Sequence, residues 1–89
     1  KNDYVFHREL PTGKGFADLV LMPRKMSDKP AILLELKKDL SAYAAIEQIH
    51  RKEYQGKVLQ YDGRVILVGI NYDSKSKKHE CKIEVISTD

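Results

Sequence analysis

The sequence predicts an α/β (α+β) domain: a mixed β-sheet with its main helix on one face, in the order strand-strand-strand-helix-strand-strand. Three observations carry the prediction. Three strand-like runs come first, separated by short polar turns. A single stretch, residues 40 to 55, has helical rather than strand periodicity. Two more strand-like runs follow, and a strand-helix-strand step normally joins parallel neighbours.

The first strand is expected from Tyr4 to Leu10, where Val5, His7 and Glu9 alternate with Tyr4, Phe6 and Arg8. Pro11 to Gly15 is a turn by composition. Phe16 to Met22 is the second strand; it stops at Pro23, and Arg24 to Pro30 is a polar turn, so these runs read as a hairpin. The third strand, Ala31 to Lys37, puts Ile32, Leu34 and Leu36 on one face and Ala31, Leu33, Glu35 and Lys37 on the other. Apolar residues on both faces predict an interior strand covered on both sides for most of its length.

The helix is expected from about Leu40 to Gln55. Asp39 or Ser41 can cap it, Ala42, Ala45, Ile46 and Ile49 form its buried stripe, and Tyr43, His50 and Tyr54 extend or flank that stripe. The alanines allow close approach to a sheet, and Gly56 is a natural stop. Residues 57 to 64 are a connector with a bend at Asp62-Gly63. Arg64 to Tyr72 then reads as a central strand, and Glu80 to Ile86 as its hairpin partner across Asp73 to Lys78.

Three charges interrupt this apolar pattern. Asp18 lies inside the second strand, and Glu35 and Lys37 lie near the end of the third. A buried charge is costly unless it is paired or holds a metal. Residues i and i+2 of a strand share a face, so Glu35 and Lys37 project the same way, and a hairpin lets Asp18 reach that side. Two carboxylates converging there would suit Mg²⁺ or Mn²⁺, which take hard oxygen ligands, and the Leu36 carbonyl could add another. Lys37 could orient an attacking water and neutralise charge developing on a phosphate. The chemistry implied is metal-assisted hydrolysis of a phosphodiester. Taken alone, Glu-x-Lys is a common solvated strand end; Asp18 at hairpin distance is what moves the reading toward a site.

Composition sets outer bounds. The 89 residues, 42% hydrophobic, suffice for one domain with one modest core. Residue 1 is Lys, which reads as a cut piece of a longer protein. There is no run of 18 or more apolar residues and no signal-peptide pattern, so a soluble cytoplasmic protein without a membrane partner is the default expectation. Cys81 reads as a small strand hydrophobe. The net charge of +3 permits a polyanionic partner without arguing for one. Lys75, Lys77 and Lys78 cluster in one loop, and Arg24, Lys25 and Lys29 in another; each cluster alone reads as a solvated loop. The three histidines lack zinc-ligand spacing, and Gly13-x-Gly15 precedes a strand, so neither a zinc site nor a phosphate-binding loop is expected.

Asp18 followed after a hairpin by Glu35-Leu36-Lys37 resembles the D…(D/E)-x-K signature of the PD-(D/E)XK nuclease superfamily. With Gly15-Phe-Ala-Asp18, Pro23, Pro30 to Lys37, Glu47-Gln48-Ile49 and Tyr54, the likeness over roughly residues 4–73 is to one branch: the nuclease-like C-terminal domain of bacterial and archaeal proteins with an AAA-ATPase-like N-terminal region. The resemblance implies a restriction-endonuclease-like fold, with residues 1–89 as a C-terminal fragment of such a protein. It also implies a nucleic-acid substrate, DNA ahead of RNA, and an ATPase domain in the same full-length chain. By the same resemblance Asp18 and Glu35 bind the metal, Lys37 assists the water, and Gln48 matches a position where the family often has a Gln near the active site. Without the resemblance, Gln48 reads as a solvent-facing helix residue; Tyr54, which also matches the branch pattern, reads as packing first, with substrate contact as the lesser option. Superfamily members usually begin with a helix over the sheet; this sequence begins at the first strand, so the leading helix is expected to be missing. An alternative function is a catalytically inactive nuclease-like module that binds nucleic acid or protein. A third possibility is assembly through an open sheet edge.

Overall fold

The fold was analysed in a computed structural model, which describes residues 3–12, 15–24, 28–52 and 64–87. In chain order the elements are β1 (Tyr4–Thr12), β2 (Gly15–Pro23), β3 (Ala31–Lys38), α1 (Ala42–Lys52), β4 (Arg64–Asp73) and β5 (Lys78–Ser87). They build one five-stranded sheet in the spatial order β1-β2-β3-β4-β5. All pairings are antiparallel except β3 with β4, which is parallel and is bridged by α1. This is the predicted mixed sheet and element order, consistent with a restriction-endonuclease-like fold. β1 continues to Thr12 and β2 begins at Gly15, so the strands extend into the stretch expected as a turn, whose residues 13–14 lie outside the described residues. The expected end of the helix, Tyr54, Gly56 and the bend at 62–63 lie outside the described residues.

The core lies between α1 and one face of the sheet. Val20, Ala31, Leu33, Val65 and Leu67 from β2, β3 and β4 meet Ile46 and Ile49 of the helix, with Met22 and Ile86 packed against them. The predicted helix stripe of Ala42, Ala45, Ile46 and Ile49 is buried throughout. Gly69 of β4 sets how closely the helix docks. A Cβ at that position would lie 2.8 Å from the Ala42 carbonyl oxygen, 2.9 Å from Ala45 Cβ and 3.0 Å from Ile46 Cγ1. The small stripe residues and this glycine together bring α1 down onto the sheet.

The opposite face agrees with the expected placement of the main helix on one side of the sheet. There Ile32 and Leu34 are half-buried and Leu36 is 55% exposed. The register aligns Phe6, Leu21, Ile32, Ile66 and Val85 in one apolar row across all five strands. No described helix lies over that row, because α1 sits on the other side. Cys81, Ile83 and Val85 also point to this face and are exposed, so the alternation of β5 turns its apolar side away from the core. Cys81 is therefore an exposed free thiol rather than a packed hydrophobe. Among the described residues no helix is long and apolar enough to cross a membrane.

The turn between β3 and α1 is fixed from three sides. Of the two proposed caps, Ser41 acts: its Oγ accepts the Ala44 N–H at 2.9 Å. The first turn of α1 holds no acid of its own, and Glu80 of β5 supplies one, its Oε1 accepting the Ala42 N–H at 2.9 Å. Asp39 adopts a left-handed backbone (φ 57°), which aspartate tolerates better than most residues. Its N–H donates to the Tyr72 carbonyl, and its carboxylate accepts from both the N–H and the hydroxyl of Ser74. Those bonds, first the backbone N–H and then the hydroxyl, hold the Asp39 carboxyl below its ordinary range. Asn71, 5% exposed on β4, completes the anchor by accepting the Leu40 N–H at 3.0 Å.

Candidate active site

The site forms where β3 loses its partner on one side. β2 and β3 pair from Leu21↔Ile32 to Leu19↔Leu34, and the next residues in that register are Asp18 and Glu35. Val20 and Leu33 are paired core residues, so Asp18, Glu35 and Lys37 follow them onto the helix-covered face by the two-residue period. Beyond Leu19 the Asp18 side chain takes over from the backbone ladder: its Oδ2 accepts the Leu36 N–H at 2.9 Å. A strand residue points its N–H and C=O toward the same neighbour. The Leu36 carbonyl therefore also faces the Asp18 side.

Glu35 is 1% exposed, beneath α1. Gln48 of that helix spans it and Lys37. The Gln48 side-chain N–H donates to Glu35 Oε2 at 2.6 Å, while its carbonyl oxygen accepts from the Lys37 ammonium. The amide orientation follows from chemistry alone: a carboxylate can only accept and an ammonium can only donate, so a glutamine between them has one possible direction. The bridge links a buried carboxylate and a half-buried ammonium on one face through a single amide. It also overturns the reading of Gln48 as a solvent-facing helix residue.

Of the residues singled out from the sequence, Asp18 meets Leu36, and Glu35, Gln48 and Lys37 are joined by hydrogen bonds at the same end of β3; Tyr54 lies outside the described residues. The cluster holds, among the described residues, two carboxylates, Asp18 and Glu35, and one ammonium, Lys37. Among the described residues no group of three or more His, Cys, Asp or Glu is arranged to hold a metal ion. The set still fits Mg²⁺ or Mn²⁺, since Mg²⁺ needs only one or two protein carboxylates and completes its shell with water and substrate oxygens. The donors offered are all hard oxygens: the carboxylates of Asp18 and Glu35 and the Leu36 carbonyl.

Supporting residues were not singled out in the sequence. In the parallel register Gly69 lies beside Glu35, and Asn71 beside Lys37. Gly69 lets α1 approach until Gln48 reaches Glu35; Asn71 fixes the chain where it leaves Lys37 for that helix. A signal for Asn71 existed. In Val65-Leu67-Gly69-Asn71 it is the polar member of a buried alternation, the same anomaly that drew attention to Asp18.

The family model of the PD-(D/E)XK nuclease superfamily matches residues 1–82 of the 89. No curated protein and no solved structure is matched by the chain.

Proposed function

The chain belongs to the PD-(D/E)XK nuclease superfamily, and from that premise we propose that it is a metal-dependent nuclease domain hydrolysing phosphodiester bonds of nucleic acid, DNA ahead of RNA. The observation that carries this reading is the Gln48 bridge, which joins the buried Glu35 to Lys37 on the face where Asp18 meets Leu36. Asp18, Glu35 and the Leu36 carbonyl would hold Mg²⁺ or Mn²⁺. When bound, the metal would polarise a phosphoryl oxygen and offset its charge. Lys37, held by the Gln48 carbonyl, keeps ammonium protons available to orient the attacking water and to neutralise charge on the phosphate. Gln48 acts through its two neighbours, fixing the Glu35 carboxylate and the lysine stem relative to each other. The likeness to proteins with an AAA-ATPase-like region extends the proposal to a cytoplasmic full-length protein that also carries an ATPase domain.

The test is cleavage of DNA and RNA by the full-length protein with Mg²⁺ or Mn²⁺, beside Glu35→Ala and Lys37→Ala. Each variant should lose about 10²-fold or more in rate. Equal cleavage in wild type and both variants would refute the assignment. No cleavage by the wild type, together with no Mn²⁺ binding by calorimetry, would replace it with the non-catalytic binding module.

A further inference from the structure

The end of the sheet that carries Glu35 and Lys37 also carries the β4–β5 turn, residues 74–77. Lys38 lies beside Tyr72 in register, and Ser74 is bonded to Asp39, two residues beyond Lys37. Lys38, Lys75, Lys77 and Lys78 are all exposed around this tip, and none is in an ion pair with a described residue.

The acids among them are occupied. Asp39 accepts from Ser74; Asp73 accepts the Lys75 N–H at 3.2 Å and the Ser76 hydroxyl at 2.7 Å; Glu80 accepts the Ala42 N–H at the start of α1. Asp39, Asp73 and Glu80 hold backbone or hydroxyl groups and keep their charge, so the tip sets four exposed ammonium groups against three carboxylates whose positions are fixed by these bonds. The tip is also held in shape. Lys77 N–H donates to the Asp73 carbonyl at 2.7 Å, and Lys77 takes the left-handed conformation (φ 64°) that closes the turn. In the sequence the three loop lysines read as a solvated loop. Folding adds Lys38 to them and sets the group beside the strand end that holds Lys37.

We propose that Lys38, Lys75, Lys77 and Lys78 form a phosphate-binding rim that holds the backbone of a nucleic acid alongside the Lys37 end of the site. The proposal rests on the nuclease reading for its substrate class. Lysines act there as point charges on successive phosphates, so the rim contributes sequence-independent affinity that weakens with salt.

The experiment measures binding, not cleavage, so that it stands apart from the catalytic test. Full-length protein is titrated in EDTA with a fluorescent 20-base-pair DNA duplex and an RNA duplex of the same sequence, over a range of salt. The variants are the triple Lys75→Gln, Lys77→Asn, Lys78→Gln (asparagine suits the left-handed position) and, as a control at the opposite end of β3, Lys29→Gln. The triple variant should lower the slope of log affinity against log salt by about 2–3 and weaken binding about tenfold or more on at least one duplex, with an unchanged circular dichroism spectrum. Lys29→Gln should leave the slope within about 0.5 of wild type. An unchanged slope in the triple variant on both duplexes, an equal drop in Lys29→Gln, or no binding by the wild type would overturn the rim. A reduced slope alongside equal cleavage by wild type, Glu35→Ala and Lys37→Ala would uphold the rim and remove the nuclease assignment.

Discussion

The two edges of β3 are treated in opposite ways. Toward β4 the strand is paired from Ala31 to Lys38, its whole length. Toward β2 the described ladder runs from Ile32 to Leu34 and then gives way to a side chain, Asp18, on the Leu36 N–H. The fully paired edge is rigid and holds the strand, the helix docking point at Gly69 and the anchor at Asn71. The opened edge frees backbone and carboxylate oxygens to face one another. A site that must offer oxygen ligands to a metal needs both: one edge to fix the strand and one edge where the ladder has stopped using its polar groups.

The contrast can be broken most severely from the paired edge. Gly69→Ala places a methyl group against the Ala42 carbonyl and the Ala45 side chain. It should cost about 1–3 kcal/mol, and in a domain of this size lower Tm by about 4–8 °C per kcal/mol. Thermal unfolding measures that loss, and an unchanged Tm would show that the helix is not seated by this close approach. Asn71→Ala leaves the Leu40 N–H without its acceptor. About 1–3 kcal/mol should be lost in urea unfolding, while Asn71→Asp, which retains an acceptor, should lose less.

The opened edge should respond in function more than in stability. Asp18→Asn keeps an oxygen to accept from Leu36, so unfolding should shift by less than about 0.5 kcal/mol; Mn²⁺ affinity, read by calorimetry, should fall about tenfold or more. Asp18→Ala should also lose about 1 kcal/mol with the hydrogen bond. Equal Mn²⁺ affinity in wild type and Asp18→Asn would mark Asp18 as a strand-end cap and nothing more.

The smallest effect belongs to Asp39. Its carboxyl is held below the ordinary 3.8 by the Ser74 N–H and hydroxyl. A lowered folded-state value stabilises above the unfolded value and loses that contribution as pH falls through the folded value. Wild type should therefore exceed Asp39→Asn in Tm at neutral pH, and the gap should close as pH drops below 3.8. A gap that persists in acid would mean the tie to Ser74 does not depend on charge.

Much of this was legible in the chain because strands and helices print their periods locally. The two-residue alternation placed Glu35 and Lys37 on one face, and the stripe of Ala42, Ala45, Ile46 and Ile49 predicted the buried side of α1. The polar residues inside apolar runs marked Asp18 and Glu35 before any contact was known. Where the sequence fell short, the cause was a missing third dimension. Apolar residues on both faces of β3 marked it as interior to the sheet, but did not say which face α1 would take. The alternation of β5 had no sign attached, and its apolar members Ile83 and Val85 turned to the exposed side.

The sequence by itself determined the element order, the mixed sheet, the charged strand ends and the small residues that let a helix sit close. Tertiary structure alone decided that Gln48 spans Glu35 and Lys37, that Glu80 caps a helix from another strand, and that a solvated lysine loop stands at the end of the site. The physical reason is range. Periodicity is dictated by neighbours a few residues apart, but each of these hydrogen bonds joins groups 11 to 38 residues apart, and their directions exist only once the sheet has set the register.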